Sequence, residues 1–146
     1  MPAGDSALEI GSAPGGATYA LLQRGLSVEG IDPGQMSQVC LDHKKFIHHN
    51  VSIQDFRMFS LKNHINWLYV DMNLAPEASL REIERVVENI MPSLKGVFLT
   101  LKMTKLELVK RVPMYLTLVE QMGLRVVMAT QLDSHKQEFL IYTQPK

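Results

Sequence analysis

Short apolar runs alternate along the chain with stretches in which apolar residues recur every three or four positions. The short runs, such as Trp67–Val70, are rich in β-branched, aromatic and leucine side chains, which is typical of buried strands. The longer stretches, such as Leu80–Ile90, have the apolar spacing of one helix face. This alternation predicts an α/β domain, with a mostly parallel sheet and helices on both of its faces.

Seven strands and four helices follow from this pattern. Because only Gln131–Gln137 separates the last two strands, and a parallel crossover needs about a dozen residues or more, we expect these strands to be antiparallel. The predicted strands are Ala7–Ile10, Ser27–Ile31, one within Ile47–Ile53, Trp67–Val70, Gly96–Leu101, Arg125–Thr130 and Glu138–Thr143. The predicted helices are Gly16–Arg24, Gln35–Leu41, one capped by Ser79 with Glu82 and ending before Pro92, and Lys105–Met122 with a bend at Pro113.

Length, charge and cysteine content narrow the class of protein. The 146 residues fit one domain, and we expect a monomer. Fifteen Lys and Arg balance fifteen Asp and Glu, so any attraction to nucleic acid must come from a local patch. A single cysteine, Cys40, excludes an internal disulfide and fits the cytoplasm. Met1–Asp5 has no signal-peptide pattern, and no run is long enough to span a membrane.

A glycine-rich segment joins the first predicted strand to the first helix. Its sequence is Glu9-Ile10-Gly11-Ser12-Ala13-Pro14-Gly15-Gly16. Glycines at such a turn let the backbone approach a ligand closely, next to the free N–H groups of a helix start. The spacing differs from the dinucleotide pattern G-x-G-x-x-G, and the lysine of a P-loop is missing. A plain strand-to-helix turn can also use glycine, but the whole string favours a ligand-binding loop.

Two aspartates follow neighbouring strands at the same edge of the sheet. Asp32 ends the second strand, 21 residues after Gly11, where a carboxylate can accept hydrogen bonds from a ribose diol. Asp55 follows the third strand and could reach an adenine amino group. For each residue the alternative is an ordinary turn or solvated loop aspartate.

These motifs together resemble one family of enzymes. The segments Gly11–Tyr19, Leu22–Gly25 and Gly30–Gly34 are similar to FtsJ-type ribose 2′-O-methyltransferases, and most similar to the RlmM-like branch, which acts on large-subunit ribosomal RNA. The resemblance runs from Ala7 to Thr143. It implies a Rossmann-like seven-stranded methyltransferase fold with an antiparallel last strand, S-adenosylmethionine as cofactor and ribosomal RNA as partner. The implied cofactor-binding residues are Glu9, Gly11, Ser12, Ala13, Pro14, Gly15, Gly16, Thr18, Asp32, Pro33, Asp55 and Asp71.

The family also implies a catalytic Lys-Asp-Lys-Glu tetrad, of which Asp71, Lys102 and Glu138 match three members; Gln131-Leu132 precedes Glu138 in the family's order. Asp71 and Lys102 follow the carboxyl ends of their strands, and Glu138 begins an antiparallel strand, so all three reach one edge of the sheet. A lysine at this edge can act in two ways. As a charged ammonium it can stabilise a developing alkoxide, and as a neutral amine it can take the proton of the hydroxyl. Taken singly, each could be an ordinary surface or turn residue.

The remaining member of the tetrad is a lysine upstream of the first strand, and Met1–Ser6 contain no lysine. We therefore expect an N-terminal helix or domain to be missing from this chain. Without it, we expect the chain to bind the cofactor yet to methylate poorly. The alternatives are a cofactor- or RNA-binding module without catalysis, and a methyltransferase for small molecules or proteins. The histidines lack the spacing of metal ligands, so we expect no metal.

Overall fold

The computed structural model describes residues 1–131 and 137–146. Within them, seven strands form one sheet in the order β3-β2-β1-β4-β5-β7-β6, which confirms the predicted fold class. The strands are β1 (Ser6–Ile10), β2 (Ser27–Ile31), β3 (Phe46–His49), β4 (Trp67–Val70), β5 (Gly96–Lys102), β6 (Leu124–Gln131) and β7 (Glu138–Pro145). The helices are α1 (Gly16–Gln23), α2 (Gln38–Leu41), α3 (Pro76–Ile90), α4 (Leu106–Lys110) and α5 (Val112–Gln121), with short 3₁₀ turns at Met58–Ser60 and Met91–Ser93.

Strands β1 to β5 pair in parallel, whereas β7 pairs antiparallel with both β5 and β6. The predicted antiparallel arrangement of the last two strands is therefore confirmed. Because β7 runs antiparallel to β5, the first residue of β7 lies beside the last residue of β5. Lys102 and Glu138 are direct partners in this register.

Alternating side chains divide the core into two layers. Leu8 and Ile10 of β1 point into the larger layer, which α3 fills with Ile83, Val86 and Val87. The intervening Ala7 points into the smaller layer with Leu21 and Leu22 of α1. Each fully buried Leu or Ile contributes about 1.5–3 kcal/mol of hydrophobic stabilisation.

Three aromatic rings cross β4, β5 and β7 on the α1 side of the sheet. Phe98 stacks on Tyr142 with ring centroids 4.5 Å apart and on Tyr69 with centroids 5.0 Å apart. All three rings are half-buried. Because side chains alternate along a strand, Phe98 and Lys102 lie on the same face of β5.

The helix bounds differ from the sequence prediction at several points. Helix α1 ends at Gln23 rather than Arg24, and α2 begins at Gln38 rather than Gln35.

Two larger differences have a clear physical reason. Ser79 is not the cap of α3: the helix begins at Pro76, and Ser79 is buried inside it. Proline suits a first helical position because the N–H that it lacks would have no partner there. The predicted helix Lys105–Met122 is two helices, α4 and α5, and Pro113 lies in the first turn of the second. Proline cannot donate the hydrogen bond that would continue α4.

We predict that Gly11→Ala destabilises the fold. Gly11 has φ +84°, and a Cβ there would lie 2.1 Å from the carbonyl oxygen of Asp71. Left-handed backbone costs a non-glycine residue about 1–3 kcal/mol even without a clash. Gly16→Ala is the matched control, because a Cβ at Gly16 meets no atom within 4 Å. Urea unfolding should show a loss only for Gly11→Ala; equal stability of the two variants would contradict the close approach.

Candidate functional site

The glycine-rich loop is fixed at its start by backbone contacts. The N–H of Gly11 donates to the carbonyl of Ile31 over 3.0 Å. The N–H of Asp71 donates to the carbonyl of Ile10 over 2.9 Å. Gly11 therefore lies between the ends of β2 and β4, with no room for a side chain beside Asp71.

The Asp32 carboxylate ties this loop to the end of β2. It accepts the N–H of Ala13 over 3.1 Å and the N–H of Gly34 over 2.6 Å. Gly30, two residues earlier, leaves space for Ser12, whose Oγ would lie 2.7 Å from a Cβ at Gly30. Ser12 is buried as a result. Asp32 thus orients the loop as well as facing the cleft described below.

Glu9 and Thr18 lie beneath the loop. Both are buried, and the Thr18 hydroxyl donates to the Glu9 carboxylate. Burial, helped less strongly by the negative charges of Asp71 and Asp32, raises the pKa of Glu9 to about 7 against the opposing effect of the Thr18 hydrogen bond. The two residues support the loop from below.

An open cleft of about 430 Å³ lies beside the loop, at the carboxyl edge of the sheet. Of the predicted cofactor-binding residues, Gly11, Asp32 and Pro33 line it. Its remaining lining is mostly apolar, and consists of Ile10, Ile31, Ser52, Ile53, Gln54, Met72 and Leu74. An apolar wall with a carboxylate at one end suits a nucleoside, whose flat ring can lie on the wall while its diol faces the carboxylate.

Asp55 lies outside the lining of this cleft. It is exposed, and its carboxylate accepts a hydrogen bond of 2.7 Å from the Ser52 hydroxyl. Ser52, Ile53 and Gln54 line the cleft in its place, and the sequence reasoning missed them. The available signal was their position just after β3, at the same sheet edge as Asp32.

The three predicted catalytic residues meet at this edge. Nζ of Lys102 lies 2.6 Å from Oδ1 of Asp71 and 2.5 Å from Oε1 of Glu138. The side chains of Lys102 and Glu138 are 18% and 25% exposed, whereas that of Asp71 is 61% exposed. An ammonium has three N–H donors, so among the described residues one donor of Lys102 remains available to a ligand.

The two carboxylates hold Lys102 in its charged form. Burial alone lowers the pKa of Lys102, but the hydrogen bonds and charges of Asp71 and Glu138 outweigh this, so that the pKa is raised. A lysine with a raised pKa is an ammonium at neutral pH. The geometry therefore favours stabilisation of a developing anion over proton abstraction by a neutral amine.

Residues 1–131 and 137–146 contain no group of three His, Cys, Asp or Glu side chains placed to hold a metal ion. No helix in these ranges has both the length and the apolar character needed to cross a bilayer. Leu132, which the resemblance places before Glu138, lies outside the described residues.

The sheet order places the chain in the Rossmann-like class of seven-stranded α/β folds. Two solved structures share the fold over almost the whole chain. Fibrillarin of Methanococcus jannaschii, a pre-rRNA processing protein, aligns with TM-score 0.77 and 12% identity over 99% of this chain and 67% of that one. Aeropyrum pernix fibrillarin, solved with natively bound S-adenosyl-L-methionine, aligns with TM-score 0.73 and 14% identity over 97% and 67%. At these identities the likeness concerns the fold.

Among curated proteins, the chain is similar to ribosomal RNA large subunit methyltransferase M of Musicola paradisiaca. The two are 39% identical over 72 residues, which are 49% of this chain and 19% of that protein. No protein-family model matches the chain. The match thus spans about a fifth of the relative's length, and it confirms the resemblance to the RlmM-like branch. The roles of the individual site residues and the expected upstream lysine stay predictions.

We predict that Glu9→Gln changes how stability depends on pH. Because the folded pKa of Glu9, about 7, exceeds its ordinary value of 4.5, its contribution is full below pH 4.5 and is lost as pH rises through 7. The wild type should lose about 3 kcal/mol of unfolding free energy across this window, and Glu9→Gln should not. Urea unfolding from pH 4.5 to 8 measures this, with the exposed Glu88→Gln as control. Parallel curves for wild type and Glu9→Gln would refute the buried, protonated carboxyl.

Proposed function

We propose that the chain is the S-adenosylmethionine-binding catalytic domain of an RNA ribose 2′-O-methyltransferase that acts on large-subunit ribosomal RNA. The observation that carries the proposal is the ammonium of Lys102 held between Asp71 and Glu138, next to the loop that borders the cleft. The similar Musicola paradisiaca protein is a ribosomal RNA large subunit methyltransferase, which supports the ribosomal RNA substrate. A cytoplasmic location and a monomeric state are part of the same proposal.

The cleft suits the adenosine part of this cofactor. Gly11 lets the backbone lie against the ligand, Asp32 can receive the ribose diol, and Ile53 and Met72 offer apolar contacts to the adenine ring. The fibrillarin that shares this fold holds the same cofactor. When bound, S-adenosylmethionine supplies an activated methyl group on a positively charged sulfur.

The charged cluster suits the activation of a ribose hydroxyl. The free N–H donor of Lys102 can hydrogen-bond to the 2′-oxygen and stabilise negative charge there as the oxygen attacks the methyl carbon. The bound cofactor would supply the methyl group and would keep the electron pair of its carbon–sulfur bond. The hydroxyl proton passes to the exposed Asp71 carboxylate and on to water. A 2′-hydroxyl distinguishes RNA from DNA, so RNA is the substrate that this cluster fits.

Cofactor binding is testable on Asp32. We predict that the unaltered chain binds S-adenosylmethionine in isothermal titration calorimetry and that Asp32→Ala weakens binding tenfold or more (about 1.4 kcal/mol), because the diol and the Ala13 N–H both lose their acceptor. Asp42→Ala is the control, since Asp42 is exposed on α2's C-terminal side and away from the cleft. Unchanged affinity for Asp32→Ala would remove Asp32 from the site.

Catalysis is testable on Lys102. We predict that, in a longer protein that includes the expected upstream lysine, Lys102→Met abolishes the transfer of labelled methyl groups to unmodified large-subunit ribosomal RNA, while cofactor affinity stays within twofold and the exposed Lys44→Met stays active. We also predict that Glu138→Gln lowers the pKa of Lys102, because one of its two anionic partners is lost; NMR of labelled lysine measures this.

The other outcomes separate the rival functions. Cofactor binding without any transfer, in a longer protein that includes the expected upstream lysine, would favour a binding module. Transfer that survives Lys102→Met would favour a methyltransferase for small molecules or proteins, since such reactions need no lysine-centred cluster. A ribose product is recognised by its label, which stays in an alkali-resistant dinucleotide.

A further inference from the structure

A second cleft opens on the other side of the loop that follows β4. It has a volume of about 640 Å³ and lies between residues 73–75 and the segment that leads from β5 into α4. Lys102 forms part of its wall. Leu74 borders both this cleft and the one beside the glycine-rich loop, so a single loop separates the two. Lys102, the catalytic lysine of the proposed function, therefore lines a cleft that is separate from the cofactor cleft.

The lining of the second cleft combines an apolar interior with a polar rim. Leu74 and Leu108 are half-buried and pack against the main core, so their exposed sides are held in place. Asn73, Thr104 and Lys105 stand exposed around them. Among residues 1–131 and 137–146, the side chains of these three form no hydrogen bond or ion pair, which leaves their polar groups available to a ligand.

This combination matches the parts of one nucleotide. A nucleobase has two apolar faces, which fit between leucine side chains, and a polar edge, which an amide and a hydroxyl can hydrogen-bond. A phosphate carries the negative charge that an exposed lysine attracts. Because the formal net charge of the chain is zero, the chain as a whole does not attract RNA. A local positive charge such as that of Lys105 is therefore needed to hold a phosphate at the cleft.

We propose that this second cleft holds the acceptor nucleotide. Its base lies against Leu74 and Leu108, its ribose hydroxyl faces Lys102, and its phosphate meets Lys105. The base enters from the side opposite the cofactor cleft, and its ribose hydroxyl meets the methyl donor at the charged cluster, where the two clefts come together past the edge of the loop that follows β4. The inference rests on the proposed function, and it adds which residues recognise the RNA.

NMR titration of the labelled protein with a single-stranded RNA hexanucleotide tests the proposal, without requiring turnover. We expect amide shifts at residues 73–75 and 104–108. Lys105→Ala should reduce the slope of log affinity against log salt by about 0.7, because one phosphate contact is lost. Leu108→Ala should weaken binding about tenfold with an unchanged salt slope, because only apolar contact is lost.

Neighbouring residues on α4 provide matched controls. Val109→Ala and Lys110→Ala alter exposed side chains of the same types outside the cleft, and both should bind RNA like the wild type. Calorimetry should give the same S-adenosylmethionine affinity for all four variants, which separates this site from the cofactor site.

Three outcomes would overturn the proposal. RNA binding in which Lys105→Ala and Leu108→Ala behave like their controls would exclude the cleft while leaving the proposed function intact. Shifts concentrated instead at Tyr69, Phe98 and Tyr142 would place the RNA on the aromatic face of the sheet. No RNA binding at all would overturn the acceptor site, and whether the chain still binds S-adenosylmethionine then decides if the cofactor part of the proposed function fails as well.

Discussion

The contact between Gly11 and the backbone of Asp71 is the constraint on which both halves of the site depend. The missing side chain at Gly11 lets the end of β1 lie directly against the end of β4. The hydrogen bond from the Asp71 N–H to the Ile10 carbonyl fixes this approach. One side of the contact forms the rim of the cleft, and the other carries the carboxylate that meets Lys102. Any ligand beside Gly11 is therefore held at a fixed position relative to the charged cluster.

The antiparallel β7 supplies what a purely parallel sheet could not. A parallel strand at this position would have its last residue at this edge of the sheet. The antiparallel β7 instead has its first residue, Glu138, there, directly beside Lys102. A slip of one residue would turn Glu138 to the opposite face of the sheet. The ladder continues beyond the pair, because the Met103 N–H donates to the Gln137 carbonyl. The position of Glu138 thus follows from strand register.

The sequence was most informative where topology alone decides position. Strands β2 and β4 have the predicted bounds, and each is followed directly by an aspartate. Asp71, Lys102 and Glu138 converge as predicted, because the ends of strands must share an edge. The predicted start of α3 was wrong. The capping pattern at Ser79 competes with Pro76, three residues earlier, and proline is also common at the start of a helix.

The lining of the cleft was harder to predict, because it depends on how a loop packs. Arg85 of α3 donates to the carbonyls of Ile53 and Phe56, over 2.6 and 3.2 Å, and so fixes the turn after β3. This contact spans about thirty residues of sequence and holds the turn in which Gln54, but not Asp55, lines the cleft. The spacing of residues around β3 contains no sign of it.

The two carboxylates beside Lys102 differ in their surroundings, and we infer that they differ in role. Glu138 is part of the strand ladder and lies on the same face as the stacked ring of Tyr142, four residues along β7. Water reaches Glu138 and Lys102 poorly on this side, so their attraction is weakly screened. The side chain of Asp71 is mostly exposed, so its carboxylate is in contact with water. Glu138 is therefore suited to keep Lys102 charged and in place, while Asp71 is the partner through which a proton can leave the site.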